Sequence, residues 1–544
     1  MKLNYKRTIC VGFAFFLICA FWQAYDNTIP LILTNKFGMS QAWSGVIMAL
    51  DNILALFLLP LFGAISDKHT GRRGRRTPFI VFGTIVAAIA FISLSLVDDA
   101  QLKNIDAAAA IDDPAALRVV YQQEADRTLK TPDGETFVLE DTFTEDEFAA
   151  ITSQVTNAEG KTVTNHDYTN YVVPARQAYA HQTTVQHPGA LIGFIALLLV
   201  VLLAMATFRS PAVALMPDVT IKPLRSKANA VINLMGTAGG ILVLAIGMAF
   251  ATSSVRNSLM SYTAYFAVIA GIMLLALLIF RLTVNEPKFV AEMQADSMLS
   301  ALVIFMLTVR EKEWAYEMQQ QAVALGIEEE TQEQEESAGG RKLSVDEVKS
   351  LIFLLLSIVL WFFGYNAVTS KYSVYASNIL HKDYNLTLML AQAAAIVAYL
   401  PVGIVASKIG RKKTILGGVV MLAVAFGVAA FLNAESPTML MNAMFCLAGI
   451  GWATINVNSF PMVVEMCSGS DVGRYTGFYY TASMAAQVVT PMFSGFLMDK
   501  LGMTVLFPYA AIFVAGAFVT MLFVRHGDSR PIPAKGLEAL DVDD

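Results

Sequence analysis

Ionisable residues are rare in the long apolar stretches of this sequence, and the few that occur are the first pointers to chemistry. The first stretch carries Trp22-Gln23-Ala24-Tyr25-Asp26-Asn27, the second carries Asp51-Asn52 near its middle, and a later one carries Arg209. A charged group in apolar surroundings is costly and marks a functional position by default. A carboxylate there can take up and release a proton, or lend its oxygens to a sodium ion with Asn52 or backbone carbonyls completing the shell. Asp51 is the deeper acid; Asp26, nearer the end of its stretch, suits the same ion-coupling role. A structural Asp51–Arg209 pair is the competing reading. Arg209 can also donate paired hydrogen bonds to hydroxyl groups.

Neutral polar and aromatic side chains recur in other apolar stretches. The first supplies Trp22, Gln23 and Asn27, the second Asn52, and the fifth Asn233. Tyr365 and Asn366 lie in the seventh, Gln392 in the eighth, Trp452, Asn456 and Asn458 in the tenth, and Tyr479, Tyr480 and Gln487 in the eleventh. Together with Arg209 these give the hydrogen-bonding groups and flat faces that a polyhydroxylated ligand needs. Each aromatic is equally explained by packing. Asn456 and Asn458 are stronger candidates, because an unpaired amide away from water is costly. No nucleophile–base pair, metal-ligand cluster or phosphate loop occurs. The sequence therefore implies no enzyme, no cofactor, no metal and no nucleic-acid partner.

The elements that must position these residues follow from composition. The chain has 544 residues, 56% of them hydrophobic and only 15% charged, with a mean hydropathy of +0.55; a soluble domain carries about 25% charge. The apolar residues gather in stretches of about twenty or more, the length of a membrane-crossing helix. The predicted spans are 8–34, 41–66, 78–97, 188–216, 226–251, 259–281, 347–379, 386–407, 413–432, 438–466, 474–498 and 503–524. The expected fold is an all-α polytopic membrane protein of twelve helices in two six-helix bundles. Lys and Arg concentrate in alternate short loops, at Lys68 and Arg72 to Arg76, at Lys222 to Lys227, at Lys408 to Lys413 and at Arg474. By the positive-inside rule those loops and both termini are cytoplasmic, with the chain in the plasma membrane. The four cysteines fall in or beside apolar stretches and suggest no disulfide framework.

Two polar segments break the pattern. Residues 98–187 hold 16 Asp and Glu against 6 Lys and Arg and are predicted to form a small ordered domain outside the membrane, with helix over Pro114 to Arg127 and strand over Glu135 to Glu140. His166, His181 and His187 read as its surface residues. Residues 282–346 form the expected cytoplasmic linker between the halves, with an interfacial helix over Met298 to Val309 and a solvated Glu- and Gln-rich run. The predicted organisation is therefore 1–97 with 188–281 as the first bundle, 98–187 as the extracytoplasmic insertion, 282–346 as the linker, 347–525 as the second bundle and 526–544 as a cytoplasmic tail.

The halves repeat each other. Leu59-Pro60-Leu61-Phe62-Gly63-Ala64-Ile65-Ser66-Asp67-Lys68, then Gly74-Arg75-Arg76-Thr77, matches Leu400-Pro401-Val402-Gly403-Ile404-Val405-Ala406-Ser407-Lys408, then Gly410-Arg411-Lys412-Lys413-Thr414. Internal duplication of this kind is how many transporters are built, with the site between the halves. The first copy resembles the loop 2–3 motif of the major facilitator superfamily, and Gly71-Arg72-Arg73-Gly74-Arg75-Arg76-Thr77-Pro78 is similar to its sucrose-transporter and glycoside–cation symporter branch. Ser210-Pro211-Ala212-Val213-Ala214-Leu215-Met216-Pro217-Asp218 and Asn285-Glu286-Pro287 agree with that resemblance, which covers the membrane body and not residues 98–187.

The resemblance implies an inner gate built from Gly63, Asp67, Lys68, Arg72, Arg75, Arg76, Asp218, Glu465 and Arg474. In it, Asp67 faces the amino-terminal end of the eleventh helix, where the helix dipole is positive, and the basic residues contact anionic lipid heads. Two departures matter. Ser407 stands where Asp67 stands in the first copy, which implies a one-sided lock. Leu202 stands where plant sucrose transporters carry an acid, so any coupling ion must use Asp26 or Asp51. The glycines Gly236, Gly239 and Gly240 lack the Gly-Pro pattern of drug exporters. The expectation is a monomeric secondary transporter that imports a di- or oligosaccharide such as sucrose or maltose by symport with protons or sodium, through alternating access. An exporter of another small solute and a non-transporting sugar sensor are the alternatives.

Overall fold

The computed structural model describes residues 3–157, 160–221, 224–296, 344–466 and 472–527. Among these residues, twelve long helices account for the apolar stretches of the two halves. The first half holds α1 (Tyr5–Asn35), α2 (Gln41–Lys68), α3 (Thr77–Asn104), α4 (Gly189–Asp218), α5 (Arg225–Ala249) and α6 (Thr263–Thr283). The second holds α7 (Val345–Tyr375), α8 (Tyr384–Ile409), α9 (Arg411–Ala429), α10 (Thr438–Val464), α11 (Val472–Leu501) and α12 (Leu506–Leu522). Ten of these are long and apolar enough along their described residues to cross a membrane. The predicted interfacial helix at Met298 to Val309 and the Glu- and Gln-rich run lie outside the described residues.

Local sequence explains the helix ends. Ser40 caps α2 by accepting from the Trp43 N–H at 3.3 Å, Asp383 caps α8 through Asn385 N–H at 2.9 Å, and Ser344 with Glu347 forms a capping box at the start of α7. Prolines sit inside α1, α2, α4, α8, α10 and α11; neighbouring helices in a bundle can satisfy the carbonyls they free. Each half has its own apolar core, around Phe21, Phe91, Phe208 and Phe266 in the first and Trp361, Tyr372, Phe426 and Phe507 in the second.

Helix α3 runs past the predicted end at residue 97, through Asn104. The acids there face protein instead of ending the helix. Asp98 is fully buried and accepts from Lys36 Nζ at 2.6 and 2.7 Å, while Asp99 accepts from Ser261 Oγ and Thr263 Oγ1, each at 2.6 Å.

Between α3 and α4 lies a folded cap. It contains a helix at Pro114–Glu124, a helix at Val173–Gln186 and two antiparallel hairpins. One hairpin pairs β1 (Thr128–Lys130) with β2 (Thr136–Val138); the other pairs β3 (Gln154–Thr156) with β4 (Thr162–Thr164). Leu117, Val120, Leu139, Phe148, Tyr168 and Val172 form its separate core. We call the end of the bundle that carries the cap the cap side, and the opposite end, where α1 starts and α12 stops, the terminal side.

The halves meet closely along α2 and α11, which run antiparallel. A methyl group at Gly45 would collide with the Pro491 carbonyl oxygen, and one at Gly495 with that of Gln41. Small residues are what permit helix backbones to approach so closely.

Candidate functional site

A cavity of about 190 Å³ lies between the two halves. Its walls are Trp22 and Asp26 of α1, Met48, Asp51 and Asn52 of α2, Arg209 of α4, Asn366, Thr369 and Ser370 of α7, and Gln487 and Pro491 of α11. Seven side chains singled out in the sequence therefore share one chamber, although they come from five helices up to 465 residues apart.

Asn52 donates from Nδ2 to Asp51 Oδ1 at 2.8 Å, which fixes one carboxylate oxygen. The guanidinium of Arg209 lies 5.4 Å from the centre of the Trp22 ring, a cation–π contact. Among the described residues Arg209 makes no ion pair within 4 Å. Two carboxylates and one guanidinium thus line the chamber, a formal charge of −1 when both acids are ionised. Trp22 Nε1 and Asn366 Nδ2 are buried donors without a hydrogen-bond partner. A buried unpaired donor is costly, so both are ready to meet an acceptor that enters.

Other candidates lie outside the cavity-lining set. Gln392 donates to Gln23 across the halves. Tyr365 stacks on Trp452 with ring centres 3.7 Å apart and planes within 3°. Asn456 bonds Tyr399, Tyr479 bonds Ser459 at 3.2 Å, and Asn458 donates to Thr454 O one turn back. Asn27 is buried with its Nδ2 unpaired. Asn233 is exposed.

On the terminal side, Arg76 organises the gate residues of the first half. Its Nε donates to Asp218 at 2.8 Å, and its terminal nitrogens reach Ser66 and Asp67. Arg75 grips the same Asp218 at 2.7 and 3.2 Å. Asp67 is 56% exposed. Gly63 lies against Ser210, and Lys68 and Arg72 are exposed. Glu465 at the end of α10 pairs with Arg411 at the start of α9, repeating the Asp218–Arg76 relation in the second half. The side chains of Ser407 and Arg474 lie outside the described residues.

Glu286 is a residue whose role the sequence did not disclose. It is 2% exposed, and its carboxylate accepts from the backbone N–H groups of Arg75, Arg76 and Thr77 at 2.7–3.1 Å and from the Thr77 hydroxyl at 2.7 Å. It thereby caps α3 from beyond α6. Gly74, at φ +98°, gives it room. The Asn285-Glu286-Pro287 signature marked the place without revealing the capping.

Twelve helices in two bundles about a shared polar chamber define a multi-pass membrane transporter. The family profile for the Major Facilitator Superfamily matches residues 354–540, and the one for MFS/sugar transport proteins matches residues 10–100. The chain belongs to the major facilitator superfamily, whose members are transporters and not enzymes. An MFS-type transporter, ppzB of Metarhizium rileyi (strain RCEF 4871), is 25% identical over 147 residues, 27% of this chain and 29% of that protein. The sucrose transport protein SUC4 of Arabidopsis thaliana is 40% identical over 55 residues, 10% of this chain and 11% of that protein. The chain thus matches less than a third of the length of these curated relatives. Among solved structures, the inward open xylose transporter XylE from E. coli superposes with a TM-score of 0.53 at 15% identity, covering 98% of each chain. A POT family transporter in complex with 5-aminolevulinic acid gives 0.55 at 12%, covering 94% of this chain and 95% of that one. These two share the fold.

Proposed function

We propose that this protein imports a di- or oligosaccharide, such as sucrose or maltose, by symport with a proton or sodium ion. The observation that carries the reading is the chamber itself. It joins two carboxylates to one guanidinium and surrounds them with Asn52, Asn366 and Gln487, the neutral groups that suit sugar hydroxyls. With both acids ionised, that formal negative charge favours a cation, and binding the cation prepares a neutral site for a neutral sugar. Asp51 and Asp26 carry the ion; Trp22, with Arg209 over its ring, offers an apolar face to a pyranose. The profile match to MFS/sugar transport proteins and the short match to a sucrose transport protein support the sugar.

Transport proceeds by alternating access. Among the described residues, hydrogen bonds between the halves cluster on the cap side, at Tyr384–Thr252, Lys371–Gln41 and Gln41–Asp499. This pattern supports reading the structure as closed on the cap side. The basic loops support a cytoplasmic terminal side, with the cap outside the plasma membrane and residues 282–346 as the linker within. On this reading Asp67 is released from α11 in the present state and re-engages when the terminal side closes. The protein acts as a monomer, its basic loops against anionic lipid.

Purified protein in proteoliposomes is expected to accumulate labelled sucrose or maltose when an inward proton or sodium gradient is imposed. Failure of every glycoside in a panel under both gradients would falsify the reading.

A further inference from the structure

The ends of α2 and α11 carry the same hexapeptide pattern. Helix α2 closes on the terminal side with Gly63-x-x-x-Asp67-Lys68, and α11 closes on the cap side with Gly495-x-x-x-Asp499-Lys500. The two helices are antiparallel neighbours. Each therefore carries an aspartate in its last turn, at opposite ends of one helix pair.

Asp499 is engaged. Its Oδ1 accepts from the backbone N–H of Gln41 and its Oδ2 from that of Ala42, both at 2.8 Å. These are first-turn donors of α2 that the helix cannot satisfy itself; Ser40, the α2 cap residue, serves Trp43 instead. A carboxylate at this position also meets the positive end of the helix dipole. The Gln41 carbonyl in turn accepts from the fully buried Nζ of Lys371 at 2.6 Å. Asp67, at the other end of the pair, is exposed and bonded within its own half to Arg76.

The cap holds this corner from above. Lys130 Nζ donates to the Asp499 carbonyl at 3.1 Å, and Met503 N–H donates to Pro132 O at 2.6 Å. The β1–β2 turn at Gly134 rests on Gly502, with no space for a side chain on either.

We propose that Asp499 is the cap-side latch of the transport cycle, strapped by the β1–β2 hairpin. It holds α2 of the first half while Asp67 is disengaged, and it lets go when the cap side opens. The proposal rests on the alternating-access reading. It goes beyond that reading in naming the residue that holds the cap side shut, and in giving the cap a role in the cycle.

The test is a pair of distances on the full chain in nanodiscs, with the native cysteines replaced. Spin labels at Leu96 and Met439, exposed at the cap ends of α3 and α10, report cap-side separation; labels at Leu282 and Phe523 report the terminal side. Asp499→Ala raises the ratio of long to short cap-side distances by at least about tenfold, the size expected for losing even one hydrogen bond to a charged group. Lys371→Met shifts it in the same direction and supplies the result if Asp499→Ala does not fold. Asp67→Ala does not lengthen the cap-side distances. Unchanged cap-side distances in the folded Asp499 and Lys371 variants, or the same lengthening in Asp67→Ala, would overturn the latch. Sugar uptake plays no part in this readout, so a chain that shifts as predicted but carries no glycoside contradicts only the assigned substrate.

Discussion

Arg76 at the start of α3 and Asp218 at the end of α4 form a 2.8 Å ion pair with side chains only 5% and 14% exposed, and Arg411 with Glu465 repeats it in the second half. The duplicated loops therefore do the same structural work twice, tying the third helix of each half to the fourth. Removing Arg76 leaves Asp218 to Arg75 alone and takes the partner from Asp67, a smaller loss than the about 3–5 kcal/mol of a fully stranded buried charge. Arg76→Met is expected to lower the thermal midpoint of the purified protein, as read by intrinsic fluorescence. Arg72→Met, at an exposed position, is expected to leave it nearly unchanged.

Lys36 and Asp98 offer a cleaner test of the same physics, because both side chains are fully buried and Lys36 also donates to the Met260 carbonyl at 2.7 Å. Lys36→Met alone is expected to destabilise by about 3–5 kcal/mol. The double variant Lys36→Met with Asp98→Leu recovers much of that loss, since neither charge is then stranded. A double variant as unstable as the single one would contradict the account.

Glu286 replaces three missing partners at the amino-terminal end of α3. Glu286→Ala is expected to cost about 1–2 kcal/mol, the range for losing a good helix cap. Thermal melts in detergent measure it, with Lys288→Ala, an exposed neighbour, as the control.

The cap should loosen in acid. His381, just beyond α7, lies with its ring centre 4.9 Å from that of His166 in the cap. Burial pushes its pKa from 6.5 down to about 4, and the nearby His166 and Lys382 push the same way, against the Asn378 carbonyl. An undocked His381 takes up its proton first. Docking is therefore at full strength above about pH 6.5 and weakens as pH falls toward 4. Limited proteolysis of the cap at about pH 7 and about pH 5, either side of the ordinary histidine pKa, reports this. His381→Asn, which tolerates the left-handed backbone at φ 52°, is expected to flatten the pH dependence.

Much of this architecture is legible in the sequence because bilayer-length apolar runs have few alternatives. The chamber was legible for a related reason. Asp26, Asp51 and Arg209 are too costly to place idly in apolar helices, and burial cost does not depend on knowing a partner. What the sequence hid was pairing across distance. Asp98 fell in the polar insertion at 98–187 when read from sequence, because nothing local shows that Lys36 lies beside it. The docking of Lys130 and His166 on the second half was invisible for the same reason, with partners 369 and 215 residues away. Asn458 was singled out because an unpaired amide is costly, and the sequence did not show that its Nδ2 donates to the Thr454 carbonyl of its own helix.

The central claim is that Asp51 couples a cation to sugar movement, and one comparison tests it. Proteoliposomes carrying the parent chain or Asp51→Asn are given an inward ion gradient and labelled sucrose or maltose, and uphill accumulation is measured beside sugar-for-sugar exchange. The account predicts that Asp51→Asn abolishes accumulation while exchange persists. Full accumulation by the variant would contradict it.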